Sequence, residues 1–173
     1  SQLAEKQTNW YKWGGHTATG MQHVSVPDAA ELAASYTELS EILMPNDTNN
    51  LGRALGGSIL HWMDIGAAIA ARPFALRQVV AAAMDHVDFV APAGLGEIVT
   101  ISAYVFDTGE SSMDVKVDVL AERPEAGERF RAASSYFTMV ALDGDERPTR
   151  VPAIETPTEN QRAMREEALA DRR

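Results

Sequence analysis

The sequence predicts an α+β fold in which an antiparallel sheet wraps around one long helix. Three observations carry that expectation. The segment "SILHWMDIGAAIAAR", Ser58 to Arg72, is apolar nearly all round, as in a helix buried on most sides. After it comes a run of long strand-like segments, the pattern of a layered α+β domain. A single sheet covers only one side of such a helix, so a second copy of the chain is the natural remedy for the other.

Taken in order, residues 1–23 show no periodicity, although they hold Trp10, Tyr11, Trp13 and the pair Gly14-Gly15. Met21 as a natural start makes them an N-terminal arm or a remnant of cloning. The domain itself is expected over residues 24–152. Pro27-Asp28 is a helix-start signal, and Leu32, Tyr36, Leu39 and Leu43 recur at helical spacing, which predicts a helix from Pro27 to Leu43. "MPNDTNNLGRALGG", Met44 to Gly57, is dense in turn formers and reads as a loop. The central helix follows over Ser58 to Arg72, its second half built of small residues that allow close approach to a sheet, and Pro73 is expected to end it. Strands are predicted over Val79–Val90, Ile98–Asp107, Met113–Val119 and Arg129–Leu142, with a turn at Thr108 to Glu110. "MDVKVDV" alternates apolar and charged residues strictly, as on a sheet with one wet face. Residues 153–173 are expected as a polar tail, helical from Thr158, with Thr158 and Gln161 at capping-box spacing.

Composition narrows the function. The chain has 173 residues, enough for one domain with a real core, and 45% hydrophobic with 23% charged residues is ordinary for a soluble globular protein. A net charge of −10 argues against nucleic acid as a partner, because phosphate backbones would be repelled. No apolar stretch approaches the ~20 residues of a membrane span. Zero cysteines exclude a thiol nucleophile, a disulfide framework and thiolate metal sites, and fit a cytoplasmic address.

Asp64 stands in the middle of the apolar helix, where an aspartate is out of place on propensity and burial alike. A half-buried carboxylate there is a general base or nucleophile, since desolvation raises its basicity. The bland alternative is a solvent-facing residue, or one paired with Arg53 or Arg77. "NNLGRALGG" sets Asn49, Gly52, Gly56 and Gly57 directly before the helix. Glycines there let a ligand approach bare backbone at the positive end of the helix dipole, or merely supply turn torsions. "DHVDF", Asp85 to Phe89, places its acids on one side of a strand and His86 on the other. His61, His86 and Asp64 lack metal-ligand spacing, so no metal is expected. No "GxSxG" supports a serine hydrolase. Ser111 and Ser112 sit in a hairpin corner, and Arg53 is among the arginines available to phosphates.

These blocks, in this order over roughly Thr37 to Pro152, resemble the ACOT-type hotdog acyl-CoA thioesterases, the acyl-CoA hydrolase family. The resemblance rests on "MPNDTNNLGRALGG", "LHWMDIGAAIAAR", "VVAAAMDHVDFVAPAGLGEIVTISAYV", "TGESSMDVKVDV" and "GERFRAASSYFTMVAL". It implies a hotdog fold, a working dimer often assembled into hexamers, and hydrolysis of fatty acyl-CoA with no cofactor beyond the substrate's own CoA. It also implies that Asp64 is the catalytic acid of the central helix and that Asn49 completes the site from the facing subunit. The backbone N–H near Gly57 would polarise the thioester carbonyl. Ser111 and Ser112 would border the CoA channel, and Gly56, Arg53 and His86 would be further substrate contacts. Many members carry an acidic or aromatic residue between the glycines, where this chain has Arg53-Ala54-Leu55. The rival expectations are a hotdog dehydratase or hydratase, which needs a histidine in the helix-entrance loop, and a non-catalytic acyl-CoA-binding module.

Overall fold

The computed structural model describes residues 25–172; the expected N-terminal arm lies outside them. A short strand β1 (Ala29–Glu31) leads into the four-residue helix α1 (Leu32–Ser35) and strand β2 (Thr37–Ile42). The long helix α2 (Gly56–Ala75) is followed by β3 (Gln78–Met84), β4 (Asp88–Phe89), β5 (Ile98–Thr108), β6 (Ser112–Arg123) and β7 (Glu128–Leu142). The short β8 (Ala153–Glu155) and helix α3 (Glu159–Asp171) close the described chain. The main sheet runs β2-β5-β6-β7-β3 with every pairing antiparallel and β4 added beside β7, while β1 and β8 form a separate parallel pair.

The sheet's inner face encloses α2. Ile59, Trp62, Met63, Gly66, Ala67, Ala70, Ala71 and Phe74 are among its buried residues, one stripe at 3.6-residue spacing. They meet the inward side chains of β5, β6 and β7, such as Ile101, Val117 and Met139. The tightest approach is at Gly66, where an ideal Cβ would lie 2.8 Å from Cγ2 of the fully buried Ile101. The small residues of the helix therefore serve the expected close contact with the sheet.

Several expectations need correction. No helix spans Pro27–Leu43. Those residues give β1, four residues of α1, and then β2, which pairs with β5 along its whole length. The edge of a long sheet outweighed helical spacing, and Ser35, whose hydroxyl accepts from the Val105 N–H at 2.8 Å, pins the chain where it turns. Pro73 does not end α2, which continues to Ala75 before Leu76 adopts φ 52°. In the last turn a proline forfeits one intrahelical bond and little follows it to disrupt. The expected strand Val79–Val90 divides into β3 and β4, with a bulge between Ala81 and Ala83. The wet face of β6 is not wet. Lys116 is 3% exposed, because α3 lies over it and brings Glu167 and Asp171 to 3.8 and 3.6 Å of its ammonium, with Asp118 also at 3.8 Å. The tail helix itself is as expected, and the Thr158 hydroxyl accepts from the Gln161 N–H. Gln161 spends its side chain on Ala33 and Glu31 instead of on the cap, which ties α3 to α1.

A β-branched side chain at position 66 has nowhere to go. Gly66→Val is expected to cost about 1–3 kcal/mol, the scale of overpacking a filled core, read as a lowered denaturation midpoint. Gly57→Ala, whose Cβ meets nothing within 4 Å, should leave the midpoint unchanged or slightly raised.

Candidate active site

The loop before α2 is held by its own backbone. Leu55 N–H donates to the Asp47 carbonyl at 2.7 Å, and Ala54 N–H to the Ala93 carbonyl at 2.8 Å. Asn49 shapes the turn, its side-chain oxygen accepting from the N–H groups of Leu51 at 2.9 Å and Arg53 at 3.2 Å. Gly52, with φ 68°, supplies the left-handed residue the turn requires. The chain thus reaches α2 with Leu55 at the N-cap and no side chain capping the helix. First-turn N–H groups have no intrahelical acceptor, so those of Gly56 and Gly57 carry the positive end of the helix dipole outward.

That helix start opens on a cavity of about 410 Å³ lined by Asn49, Arg53, Gly56, Ile59, Phe89 and Val90, with Ala132 and Ala133 of β7 at its floor. Phe89 and Val90 are 57% and 61% exposed, an apolar wall that no other described residue covers. Neither stands out in the sequence by residue type alone. The signal that marks them is a pair of large apolar residues placed just before the Pro92-Gly94 break, where a strand would ordinarily be giving way to a polar turn.

Asp64 lies two turns further along α2, on a different wall. It lines a second cavity of about 330 Å³ with Leu60, Ala81, Met84 and Phe137. The expectation of a half-buried carboxylate is corrected for the single chain: Asp64 is exposed and makes no ion pair there, with Arg53 or Arg77 or otherwise, among the described residues. It sits at the edge of the buried stripe, on the β3 side of α2, where no described residue covers it.

The remaining candidates fall elsewhere. His86 is not on a strand opposite the acids. It occupies the break between β3 and β4, and its Nε2 lies 2.7 Å from the Asp88 carboxylate. It lines an outer cleft with Asp85, Tyr136 and Arg172, across the sheet from α2. Ser111 and Ser112 stand at the β5–β6 hairpin, where Ser112 pairs with Val140, the end of β7 remote from Ala133. The structure brings Asn49, Arg53 and Gly56 together, sets Asp64 apart from them, and places His86, Ser111 and Ser112 away from both groups. Among the described residues no cluster of three or more His, Cys, Asp or Glu side chains is spaced to hold a metal ion.

A curled antiparallel sheet around one long helix is the architecture of the hotdog thioesterases, and residues 51–128 match the Thioesterase superfamily. The acyl-CoA thioester hydrolase YkhA of Bacillus subtilis, an uncharacterized protein, is 40% identical over 119 residues, which are 69% of each chain. A crystal structure of an apo-hexameric acyl-CoA thioesterase superposes with a TM-score of 0.78 at 35% identity, covering 84% of this chain and 94% of that one. The acyl-CoA hydrolase of Staphylococcus aureus, solved with butyryl coenzyme A and coenzyme A, superposes with a TM-score of 0.76 at 32% identity over 82% of this chain and 87% of its own. The chain belongs to the acyl-CoA thioester hydrolase family of that superfamily. The Staphylococcus enzyme has also been solved as alanine variants of an asparagine, an aspartate and a threonine. Its asparagine and aspartate are fifteen residues apart, as Asn49 and Asp64 are here, and its threonine stands seventeen beyond the aspartate, where this chain has Ala81.

Because Asn49 Oδ1 builds the loop, its replacement should be read in two ways. Asn49→Ala loses both turn bonds and should lower stability by about 1 kcal/mol, the net worth of an exposed hydrogen bond or two. Asn49→Asp keeps the acceptor and should melt near the wild-type temperature while losing the amide donor.

Proposed function

We propose that this chain hydrolyses fatty acyl-CoA to free fatty acid and CoA at a site assembled between two copies of the chain. The observation that carries the shared site is the separation of Asn49 and Asp64 onto different walls of one protomer, neither wall covered by the described residues. β3 supports the same reading. It is the last strand of the main sheet, its outer backbone edge is unpaired among the described residues, and Val80 and Met84 are 45% and 46% exposed. A second copy against β3 and the open side of α2 would cover both and bring its Asn49 loop toward Asp64. The likeness to hexameric thioesterases favours three such dimers in one particle.

In this arrangement the thioester carbonyl oxygen takes the N–H groups at Gly56 and Gly57, whose dipole favours the charge that develops there. Asn49, from the same copy as those N–H groups, orients the attacking water by its amide, and Asp64 comes from the facing copy. Asp64 acts as general base. It removes a proton from that water as the oxygen adds to the carbonyl carbon, and collapse of the tetrahedral intermediate breaks the C–S bond. The proton held by Asp64 then passes to the departing thiolate, which leaves as CoA thiol. Arg53, at the rim of the Asn49 cavity, is available to the phosphates of CoA, and the apolar wall of Phe89 and Val90 accounts for an apolar part of the substrate. The negative net charge disfavours nucleic acid as a partner, no helix among the described residues is long and apolar enough to cross a membrane, and the absence of cysteine fits work in the cytoplasm.

The test is turnover of acyl-CoAs of graded chain length, with released thiol as the readout. The wild-type chain should turn over at least one length class. Asp64→Asn should lower kcat by about 10²-fold or more, the usual scale of acid–base catalysis, while acyl-CoA still binds. An Asp64→Asn variant with near wild-type kcat would remove Asp64 from the role of base.

A further inference from the structure

Beside Asp64 the wall of β3 is a run of alanines, Ala81, Ala82 and Ala83, followed by Met84. Ala81 pairs with Met139, whose side chain is buried in the core, so Ala81 too faces α2. The bulge that follows changes the register, so that Met84 opposite Phe137 returns to the same inner face. Bulges beside active sites commonly re-aim the residues around them. Here the residue aimed at the Asp64 cavity just before the bulge has a methyl group and no polar atom.

We propose that Ala81 is a rate-determining position of this chain's site: it withholds a hydroxyl that the site geometry would accept beside Asp64. The inference rests on the hydrolase reading above. It is supported by the related hydrolase, which has a threonine seventeen residues after its aspartate where this chain has Ala81. With alanine at this position the water is held by Asp64 and the asparagine amide alone. A hydroxyl on the same wall adds one donor and acceptor that can hold the water in line with the carbonyl. Such a bond, formed fully only as charge develops, acts on kcat and leaves KM unmoved. The alanine also leaves the cavity wider and wholly apolar on its β3 side, room that an acyl chain can use.

Threonine and valine have the same shape, so a pair of variants isolates the hydroxyl from the bulk. Ala81→Thr should exceed Ala81→Val in kcat by about tenfold, the rate equivalent of one hydrogen bond made in the transition state, with KM equal within about twofold. Equal kcat for the two variants overturns the inference. If either branched variant melts well below wild type, Ala81→Ser decides instead, because it adds the hydroxyl without the branch. Serine above wild type in kcat supports the inference, and serine at or below wild type overturns it. Turnover by the unsubstituted chain is the separate test of the hydrolase reading, so an active enzyme whose variants fail this comparison keeps that reading and loses this one.

Discussion

The contact of α2 with the curl of the sheet is the constraint on which the rest of the molecule depends. Gly66 permits the helix to sit with its backbone against Ile101 of β5, and the stripe from Ile59 to Phe74 fills the space under β6 and β7. A helix held that closely can present only its opposite side to anything else. Asp64 lies at the margin of that free side, toward β3, so the contact that buries one face of α2 also decides where the carboxylate stands. The same docking fixes the helix start. Its first-turn N–H groups are directed over the cavity between the Asn49 loop and β4, because Ala54 is hydrogen-bonded to Ala93 in the segment that joins β4 to β5.

The outer face of the sheet is closed by different physics. There α3 covers a lysine with three carboxylates around it, and Arg172 reaches Asp114 at 2.6 Å and Asp85 at 3.0 Å. Burying Lys116 without those partners would leave an unpaired charge away from water, a costly arrangement. Beneath α3, Phe106 and Tyr104 form a small apolar cluster with Leu32 and Ala168. One side of the sheet is therefore dedicated to the helix that carries the candidate chemistry and the other to structural closure. This division explains why His86 and its acidic neighbours, which face the outer cleft, stand apart from Asp64.

Much of this is legible in the sequence, and the parts that are not have identifiable causes. The central helix and the long strands β5, β6 and β7 are legible because their apolar periodicity is sustained over ten or more residues, long enough to override local noise. Residues 27–43 are not, since apolar spacing of three and four over so short a stretch serves equally for a turn of helix followed by a strand, and only pairing with β5 decides between them. The break after Met84 and the bulge at Ala82 leave no mark in a run of alanines and valine. Burial of Lys116 is invisible because it depends on a helix that comes far later in the chain. At the site, Asp64 and the glycine loop stand out as residues contrary to their surroundings. The cavity walls at Phe89, Val90 and Ala81 do not, since an apolar residue on a strand looks alike whether it faces core, ligand or a second copy. Asp64 itself is expected half-buried, but a single chain leaves it open.

The central claim is that one working site takes Asn49 from one copy and Asp64 from another. Mixing two inactive chains tests it most directly. Asn49→Asp and Asp64→Asn chains, each inactive alone, are co-refolded so that subunits exchange, and the mixing is verified by mass. A mixed dimer then holds one site with both lesions and one with neither. With random pairing and closed twofold symmetry, activity should recover to about a quarter of wild type. If Asn49 and Asp64 served a site within one chain, every site in every mixture would keep a lesion, and no recovery after verified exchange would contradict the shared site.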